Sequence, residues 1–224
     1  MKAIKSYMIS VTLMVSGYLS MAQTVNWRAM PDLKKNIIGI SLGLDHSVSY
    51  GLSYGRSVTV AKLPAFITAE FLMPSGEEKL DDFKSKAGGQ IRLIHYRGFQ
   101  FSARVQGVFR RYQNDFVRML NFGSDFAGTA GLYQKKWFIA AESGFDKAIV
   151  THFKHSALYR AKYGNVVDGW YEPSTGGNFY YGIQTGFNFK SHSVYLKAGS
   201  VRSQDFKTKP LLPYYGQVGY TISF

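Results

Sequence analysis

The chain of 224 residues contains no cysteine, so no disulfide can stabilise it. Long apolar runs are missing as well: after residue 23, none approaches the roughly 18 to 20 residues that a membrane-spanning helix needs. Prolines number only 6, and acidic residues number 14 against 27 lysines and arginines. Together these shortages exclude a disulfide-rich secreted domain and a helical membrane protein.

The first 23 residues predict a secretory signal peptide. Lys2 and Lys5 give a basic start, an apolar run follows from Met8 to Leu19, and small residues precede Gln23. That run is too short to span a membrane as a helix, although an uncleaved anchor is the alternative. We therefore expect an exported protein whose mature domain begins after residue 23.

The rest of the composition favours β-structure. Aromatic residues make up 16% of the chain and glycines number 23, which is typical of many short strands joined by turns. The formal net charge is +13. Because an exported chain rarely meets nucleic acid, we expect no nucleic-acid partner and instead an attraction to anionic lipid head groups. A simpler interpretation, that the charges only line loops and a lumen, stays open.

The C-terminal stretch Tyr214–Phe224 reads YYGQVGYTISF, in which every second residue is apolar, aromatic or glycine. A side-chain period of two predicts a β-strand with one apolar and one polar face. The chain stops on an aromatic residue with no polar tail. This is expected of a strand that closes a barrel inside lipid, where each unpaired backbone group costs several kcal/mol.

The same alternation recurs along the mature chain. It predicts about ten strands, at 36–44, 47–56, 64–73, 88–96, 99–112, 116–132, 137–147, 178–190, 193–202 and 214–224. Connections that are short on one side and long on the other are typical of periplasmic turns and extracellular loops. We therefore predict an all-β fold, an up-and-down antiparallel transmembrane β-barrel of about ten strands over 36–224, with about 8 or 12 strands as alternatives. The arm 24–35 should lie in or below the barrel mouth, and a bulge is expected near Gly123 and Ser124.

The alternation also assigns side chains to lipid or lumen. Near the short turns, an aromatic girdle facing lipid is expected from five distant segments, at Tyr54, Phe99, Trp137, Phe189 and Phe224. Inward-facing charged residues should pair with one another in a structural polar network that fills a narrow lumen. Its expected members are Glu70, Arg92, Arg104, Arg110, Glu142 and Asp146, with Lys190 and Lys197 also facing inward. A binding or conduction path through the lumen is the alternative.

Two charged stretches interrupt the strands. Residues 74–86 cannot sit in lipid and are expected to emerge into water. Residues 149–177 form the longest non-strand region and predict a long extracellular loop whose first half could form a short helix. Aromatic and arginine side chains are favoured at interfaces. The candidate partner surface in this loop is therefore Tyr159, Arg160, Tyr163, Trp170 and Tyr171.

Little in the sequence indicates catalysis or metal binding. His152 and His155 would share one face of a helix, but two histidines without a placed carboxylate are a weak metal site. A lipid-active enzyme needs a nucleophile, a histidine base and an orienting group, and no serine can be matched to His95, which we expect to face lipid near the short turns. We expect no catalytic residue, no metal and no cofactor.

The signal ending in Ala22-Gln23, the alternating strands and the terminal GYTISF resemble small outer-membrane β-barrel proteins of Bacteroidota-type bacteria. The segments FDKAIVTHFKHS and DGWYEPSTGG are similar to those of uncharacterised members. The resemblance implies a cell outer-membrane location in a Gram-negative envelope. It also implies that Tyr220, Ile222 and Phe224 are read by the barrel-assembly machinery. It implies no activity.

These observations favour a structural or accessory envelope subunit that presents extracellular loops. Its expected partners are outer-membrane lipids or lipopolysaccharide, the barrel-assembly machinery and other envelope proteins. A narrow small-solute channel and an enzyme that modifies lipid A or phospholipid are the alternatives.

Overall fold

The computed structural model describes residues 25–29, 35–44, 48–75, 81–173, 176–207, 210 and 212–224. The predicted signal peptide, residues 1–23, lies outside the described residues. In chain order the described elements are β1 Asn36–Leu44, β2 Val48–Val60, β3 Leu63–Pro74, β4 Asp82–Tyr96, β5 Phe99–Gln113, β6 Val117–Tyr133, β7 Trp137–His155, α1 Ala157–Tyr163, β8 Gly169–Tyr171, β9 Gly177–Phe189, β10 His192–Ser203 and β11 Tyr214–Ser223.

Ten of these strands close into a ring. Strands β1 to β7 each pair antiparallel with the next, β7 pairs with β9, β9 with β10 and β10 with β11. The ring closes where β11 pairs with β1, setting Ile38 opposite Ile222 and Leu42 opposite Val218. The additional strand β8 pairs with Thr151–Phe153 of β7. The predicted up-and-down antiparallel barrel of ten strands is therefore confirmed.

The barrel carries apolar side chains on its outer wall and polar ones inside. In β1, Ile38, Ile40 and Leu42 are 49, 58 and 44% exposed. Among the described residues, buried polar and charged side chains outnumber buried apolar ones, and Asp125 and Asn178 are fully buried. Removing apolar surface from water is worth about 25 cal/mol per Å². A barrel surrounded by water would therefore be expected to bury its apolar side chains and expose its polar ones.

At one end of the barrel every connection is short, and we call it the short-turn end, whereas the other end has both the short connection 114–116 and the long ones. Two-residue turns at 61–62, 97–98 and 190–191 and the three-residue connection 134–136 lie there. Ala61 and Lys62 both have positive φ, as do Arg97 and Gly98. This backbone shape matches the right-handed twist of paired strands. The connections 75–81, 156–176 and 204–213 join strand ends at the opposite, long-loop end.

Strand β4 begins earlier than the sequence pattern predicts. It starts at Asp82, so residues 82–86 of the expected water-exposed stretch 74–86 belong to a strand. Lys84 and Lys86 are only 3 and 2% exposed because they face the lumen. Their charge excludes them from lipid, but it is compatible with a strand whose charged face points inward.

Strand β7 also continues further than predicted. It extends to His155, so the connection at this point begins at Ser156 rather than at 149. The first part of that connection forms the short helix α1.

Two register shifts interrupt the regular pairing. Phe122 of β6 pairs with Val150 of β7, whereas the next residue, Gly123, pairs with Ala148. Ile149 is therefore an extra residue in β7. The expected bulge near Gly123 is therefore present, but its additional residue belongs to the partner strand. A second shift makes Leu93 the extra residue in β4.

The shift in β4 changes the position of His95. This histidine pairs with Gln100, whose side chain is 1% exposed and points into the barrel. The expectation that His95 faces lipid is wrong, because the bulge at Leu93 reverses the alternation beyond it.

The described part of the N-terminal arm lies in the mouth at the short-turn end. Val25 is 2% exposed and packs in a cluster with Ile37 and Phe66. The Trp27 ring meets Phe66 edge-on, with 4.8 Å between centroids. We call residues 25–29 the N-terminal plug.

Candidate functional sites: the filled lumen, the outer wall and the long loop

Arg104 is the centre of a buried ionic network in the lumen. Its Nη1 lies 3.5 Å from Glu142 Oε2, and its Nη2 lies 3.6 Å from Asp125 Oδ2. Nη2 also donates a hydrogen bond of 2.9 Å to the Tyr180 hydroxyl, which donates at 2.8 Å to Asp125 Oδ1. The guanidinium thereby connects strands β5, β6, β7 and β9 across the barrel.

Two lysines complete this network. Lys86 Nζ lies 3.4 Å from Asp125 Oδ2, and Lys197 Nζ lies 3.4 Å from Glu142 Oε2. Each carboxylate therefore has two cationic partners. Burying an isolated charge is expensive, so this mutual pairing is what permits five charged groups in the interior. We call Lys86, Arg104, Asp125, Glu142 and Lys197 the ionic layer.

Four of the six predicted lumen residues are buried in the middle part of the barrel, and the other two lie toward its ends. Glu70, Glu142 and Asp146 are 7, 3 and 2% exposed inside the barrel, as is Arg104 at 5%. Glu70 accepts a hydrogen bond of 3.3 Å from Gln106.

The remaining predicted members lie at the two ends. Arg110, toward the long-loop end, forms a bidentate pair with Asp82 at 2.6 and 2.5 Å. Arg92 lies at the short-turn mouth, where its guanidinium is 5.6 Å from the centroid of the Trp27 ring. Lys190 is exposed in the two-residue turn 190–191 at the short-turn end.

Sequence reasoning missed Lys86 and Asp125 as members of the ionic layer. Lys86 was assigned to a water-exposed stretch because of its charged neighbours, and Asp125 lies beside the irregular region near Gly123. The alternation of side chains along β6 could have placed Asp125 inside. It lies two and four residues from Ala127 and Thr129, which are also buried, and such residues share one face of a strand.

An aromatic layer lies between the ionic layer and the short-turn end. The Tyr133 and Phe138 rings stack at 5.4 Å with 4° between their planes. Both pack with Ala140 and Tyr195 in one buried cluster. The N-terminal plug is attached to the same region, because the Asn26 side chain donates a 3.0 Å hydrogen bond to the Gln134 carbonyl.

The five predicted girdle residues all lie on the outer wall. Their side chains are 41 to 58% exposed, at Tyr54, Phe99, Trp137, Phe189 and Phe224. Phe99 and Trp137 begin strands that leave the short-turn end, and Phe189 ends a strand that reaches it. The Tyr54 hydroxyl donates a 2.8 Å hydrogen bond to the side chain of Asn36, at the start of β1.

A second aromatic row, which sequence reasoning missed, crosses the outer wall nearer the long-loop end. Neighbouring rings are 5.0 to 6.0 Å apart, in the order Phe71, Phe83, Phe109, Phe122 and Trp170. His152 continues the row, 4.8 Å from Trp170. The row could not be read from one strand, because it depends on the register of four strands and on the position of β8. We call it the upper aromatic row.

The separation of the two aromatic sets can be estimated along β5. Phe99 belongs to the lower set and Phe109 to the upper row, ten residues apart. At about 3.3 Å per residue and a tilt of about 40°, this separation corresponds to a height of about 25 Å. That is about the height of the apolar band on known outer-membrane barrels.

The long loop holds the predicted partner residues on two elements. Helix α1 carries Tyr159, Arg160 and Tyr163, and β8 carries Trp170 and Tyr171. Tyr163, Trp170 and Tyr171 are 48, 59 and 46% exposed. The Tyr159 and Tyr163 rings lie 4.7 Å apart, whereas Trp170 belongs to the upper aromatic row. The structure therefore separates the five residues into three on helix α1 and two on strand β8.

Asp168 fixes this loop to the end of β7. Its Oδ1 accepts hydrogen bonds of 2.9 Å from both the His155 backbone amide and the His155 ring. Its Oδ2 pairs with Arg160. These hydrogen bonds from His155, followed by the Arg160 charge, lower the pKa of the Asp168 carboxyl below its usual range.

The two histidines of the HxxH motif do not converge. Both lie on β7, where residues three apart face opposite sides of the sheet. His152 contacts Trp170 on the outer wall, while His155 stacks on Tyr159. Across the described part of the chain, no group of three or more His, Asp or Glu side chains could hold a metal ion. Over the same residues, no helix has both the length and the apolar character needed to cross a membrane.

Comparisons with known proteins add little. No family model and no curated protein matches the chain. Among solved structures, the chain is similar to a mutant of the Rh. blastica porin, at 8% identity and a TM-score of 0.21, over 85% of this chain and 98% of that chain. The fold described above therefore rests on the strand pairing of this chain itself.

Proposed function

We propose that the protein spans the bacterial outer membrane as a ten-stranded barrel, with a closed lumen, and serves as a structural or accessory envelope subunit. The observation that carries the proposal is the inverted polarity of the barrel. Its apolar wall is exposed between two aromatic sets about 25 Å apart, which matches the hydrocarbon thickness at an outer-membrane barrel.

The closed ring supports the membrane location. In hydrocarbon every backbone polar group needs an internal partner, and a closed barrel provides one along every strand. Pairing of β11 with β1 removes the free edges that an open sheet would leave. Because β11 closes the ring, we also propose that Tyr220, Ile222 and Phe224 are the part recognised by barrel-assembly machinery.

The filled lumen supports a structural role over conduction. From the short-turn end the interior holds the N-terminal plug, the aromatic layer and the ionic layer in succession. A barrel of this size is only slightly wider than the eight-stranded barrels whose interior side chains fill the lumen. A narrow small-solute channel would need these side chains to move apart.

The long loop supports an accessory role. The exposed side chains of Tyr163 on α1 and Tyr171 on β8 lie at the long-loop end, and aromatic residues are enriched at protein interfaces. In an outer-membrane barrel, long loops face the cell exterior and short turns face the periplasm. We therefore place α1 outside the cell, available to another envelope protein.

Single-cysteine variants test this arrangement cleanly because the chain has no cysteine of its own. Lys162→Cys on α1 should react with a membrane-impermeant maleimide on intact Gram-negative cells that express the full chain. Lys135→Cys, in the three-residue connection at the short-turn end, should react only after the outer membrane is permeabilised. Ile183→Cys, 60% exposed on the mid-wall, should stay unreactive until detergent removes the lipid.

Labelling of Ile183→Cys in intact membranes at the rate of Lys162→Cys would contradict the proposal, because the wall would then face water. Equal labelling of Lys135→Cys and Lys162→Cys on intact cells would contradict the orientation.

A further inference from the structure

Two cationic side chains stand directly opposite each other on the outer wall above the upper aromatic row. Arg118 of β6 pairs in register with Lys154 of β7. Their neighbours Met119 and Phe153 pack together inside the barrel, so Arg118 and Lys154 point outward. Directly opposed side chains are about 5 Å apart at Cβ, and like charges there destabilise a sheet.

Arg111 adds a third cation to this patch. It pairs with Leu120, two residues from Arg118 on the same face, so the two arginines are diagonal neighbours. Its Nη2 donates a 2.8 Å hydrogen bond to Gln113 and lies 3.7 Å from Asp81. Among the described residues, the ion pair between Arg111 and Asp81 is the one salt bridge that these three cations form. We call Arg111, Arg118 and Lys154 the basic trio.

The basic trio lies one step beyond the apolar wall. Phe109 pairs with Phe122 in the upper aromatic row, and Arg111 and Leu120 form the next outward-facing pair toward the long-loop end. Arg118 and Lys154 form the pair beyond that. Because the upper row marks one border of the apolar band, the trio is at the height of lipid head groups.

We propose that the basic trio binds the phosphate of an anionic lipid head group, with the acyl chains of that lipid packed on the upper aromatic row. This inference rests on the proposed membrane-spanning function. A phosphate oxyanion between Arg118 and Lys154 would convert their repulsion into two charge-assisted hydrogen bonds. The amphiphilic character of the surface, apolar below and cationic above, selects a lipid rather than a free anion.

Native mass spectrometry of the full-length protein in a non-ionic detergent tests the site. The probes are diphosphorylated lipid A, its dephosphorylated counterpart and inorganic phosphate. The variant is Arg118→Gln with Lys154→Gln. The matched control is Lys162→Gln with Lys207→Gln, which removes the same charge from exposed positions at the same end.

We expect the native sequence to bind diphosphorylated lipid A at least about tenfold more tightly than the dephosphorylated form. The Arg118/Lys154 variant should lose about that factor, while the Lys162/Lys207 control stays within about twofold. Equal binding of both lipids, or equal weakening in both variants, would overturn the site. Displacement of the lipid by inorganic phosphate at equal concentration would overturn the assignment to a lipid.

Quenching of tryptophan fluorescence by brominated lipids separates this inference from the function on which it rests. Trp137 lies on the outer wall and should be quenched in the native protein and in both variants. Absence of quenching would contradict the membrane-spanning proposal itself. Normal quenching without discrimination between the lipids would contradict the basic trio alone.

Discussion

Arg104 joins the two carboxylates of the ionic layer, and its replacement should be costly. In Arg104→Met, Asp125 and Glu142 each lose one of two cationic partners, and the Tyr180 hydroxyl loses its donor. Removing one partner from a buried ion pair typically lowers the free energy of unfolding by about 3 to 5 kcal/mol, so we expect Arg104→Met to lower it by about 3 kcal/mol. Urea unfolding in phospholipid vesicles, followed by tryptophan fluorescence, measures the change.

Arg56→Met is the matched control for this prediction. Arg56 is exposed on the outer side of β2, and surface substitutions of this kind usually change stability by less than about 0.5 kcal/mol. Similar unfolding midpoints for Arg104→Met and Arg56→Met would show that the ionic layer contributes nothing specific to stability.

At the residue scale, the sequence predicted which charges enter the lumen better than which charges meet. The two-residue alternation of side chains along each strand was enough to place Glu70, Arg104 and Glu142 inside the barrel. It could not pair Arg104 with Asp125, because that contact depends on how far one strand is shifted along its neighbour.

At the scale of elements, the bulge between β6 and β7 depends on a glycine. A Cβ at Gly123 would lie 2.4 Å from the Lys147 carbonyl oxygen, whereas a Cβ at Gly107 would meet only the Ala87 oxygen at 3.7 Å. We therefore expect Gly123→Ala to destabilise the barrel by about 2 kcal/mol, since the backbone itself must shift.

Gly107→Ala should be neutral or slightly stabilising, because alanine loses less backbone entropy than glycine and meets no clash. The two glycines lie on adjacent strands at nearly the same height, with Gly107 opposite Ser124. The same urea titration in vesicles compares them. A larger loss of unfolding free energy in Gly107→Ala than in Gly123→Ala would contradict the bulge geometry.

Element boundaries were predicted at the tight turns 97–98 and 190–191, but the end of β2 was missed, because it lies at Val60 rather than at residue 56. Boundaries were also missed where strands continue beyond the apolar band. The start of β5 at Phe99 and the end of β9 near Phe189 follow from tight turns and aromatic residues. The extensions of β4 and β7 carry Lys84, Lys86 and Lys154, whose charge suggested loop. A strand that continues beyond the apolar band keeps its backbone pairing, since pairing does not require apolar side chains.

At the scale of the whole molecule, three successive layers fill the lumen, and we expect no ion conduction. Purified protein reconstituted in a planar bilayer should show no stepwise, ohmic current. Trp27→Ala with Arg92→Ala should loosen only the N-terminal plug and remain silent, because the ionic layer beyond it is intact. Reproducible unitary openings of the native protein would favour the channel alternative.

The sequence by itself determined the strand period, the outward apolar face and the approximate number of strands. Those properties depend on side chains only two residues apart, so they are visible locally. Only the tertiary structure decided the pairing within the ionic layer, the upper aromatic row and the meeting of Arg118 with Lys154. These contacts join residues from different strands, and the register between strands is set by closure of the entire ring and by single-residue bulges that the alternation does not reveal.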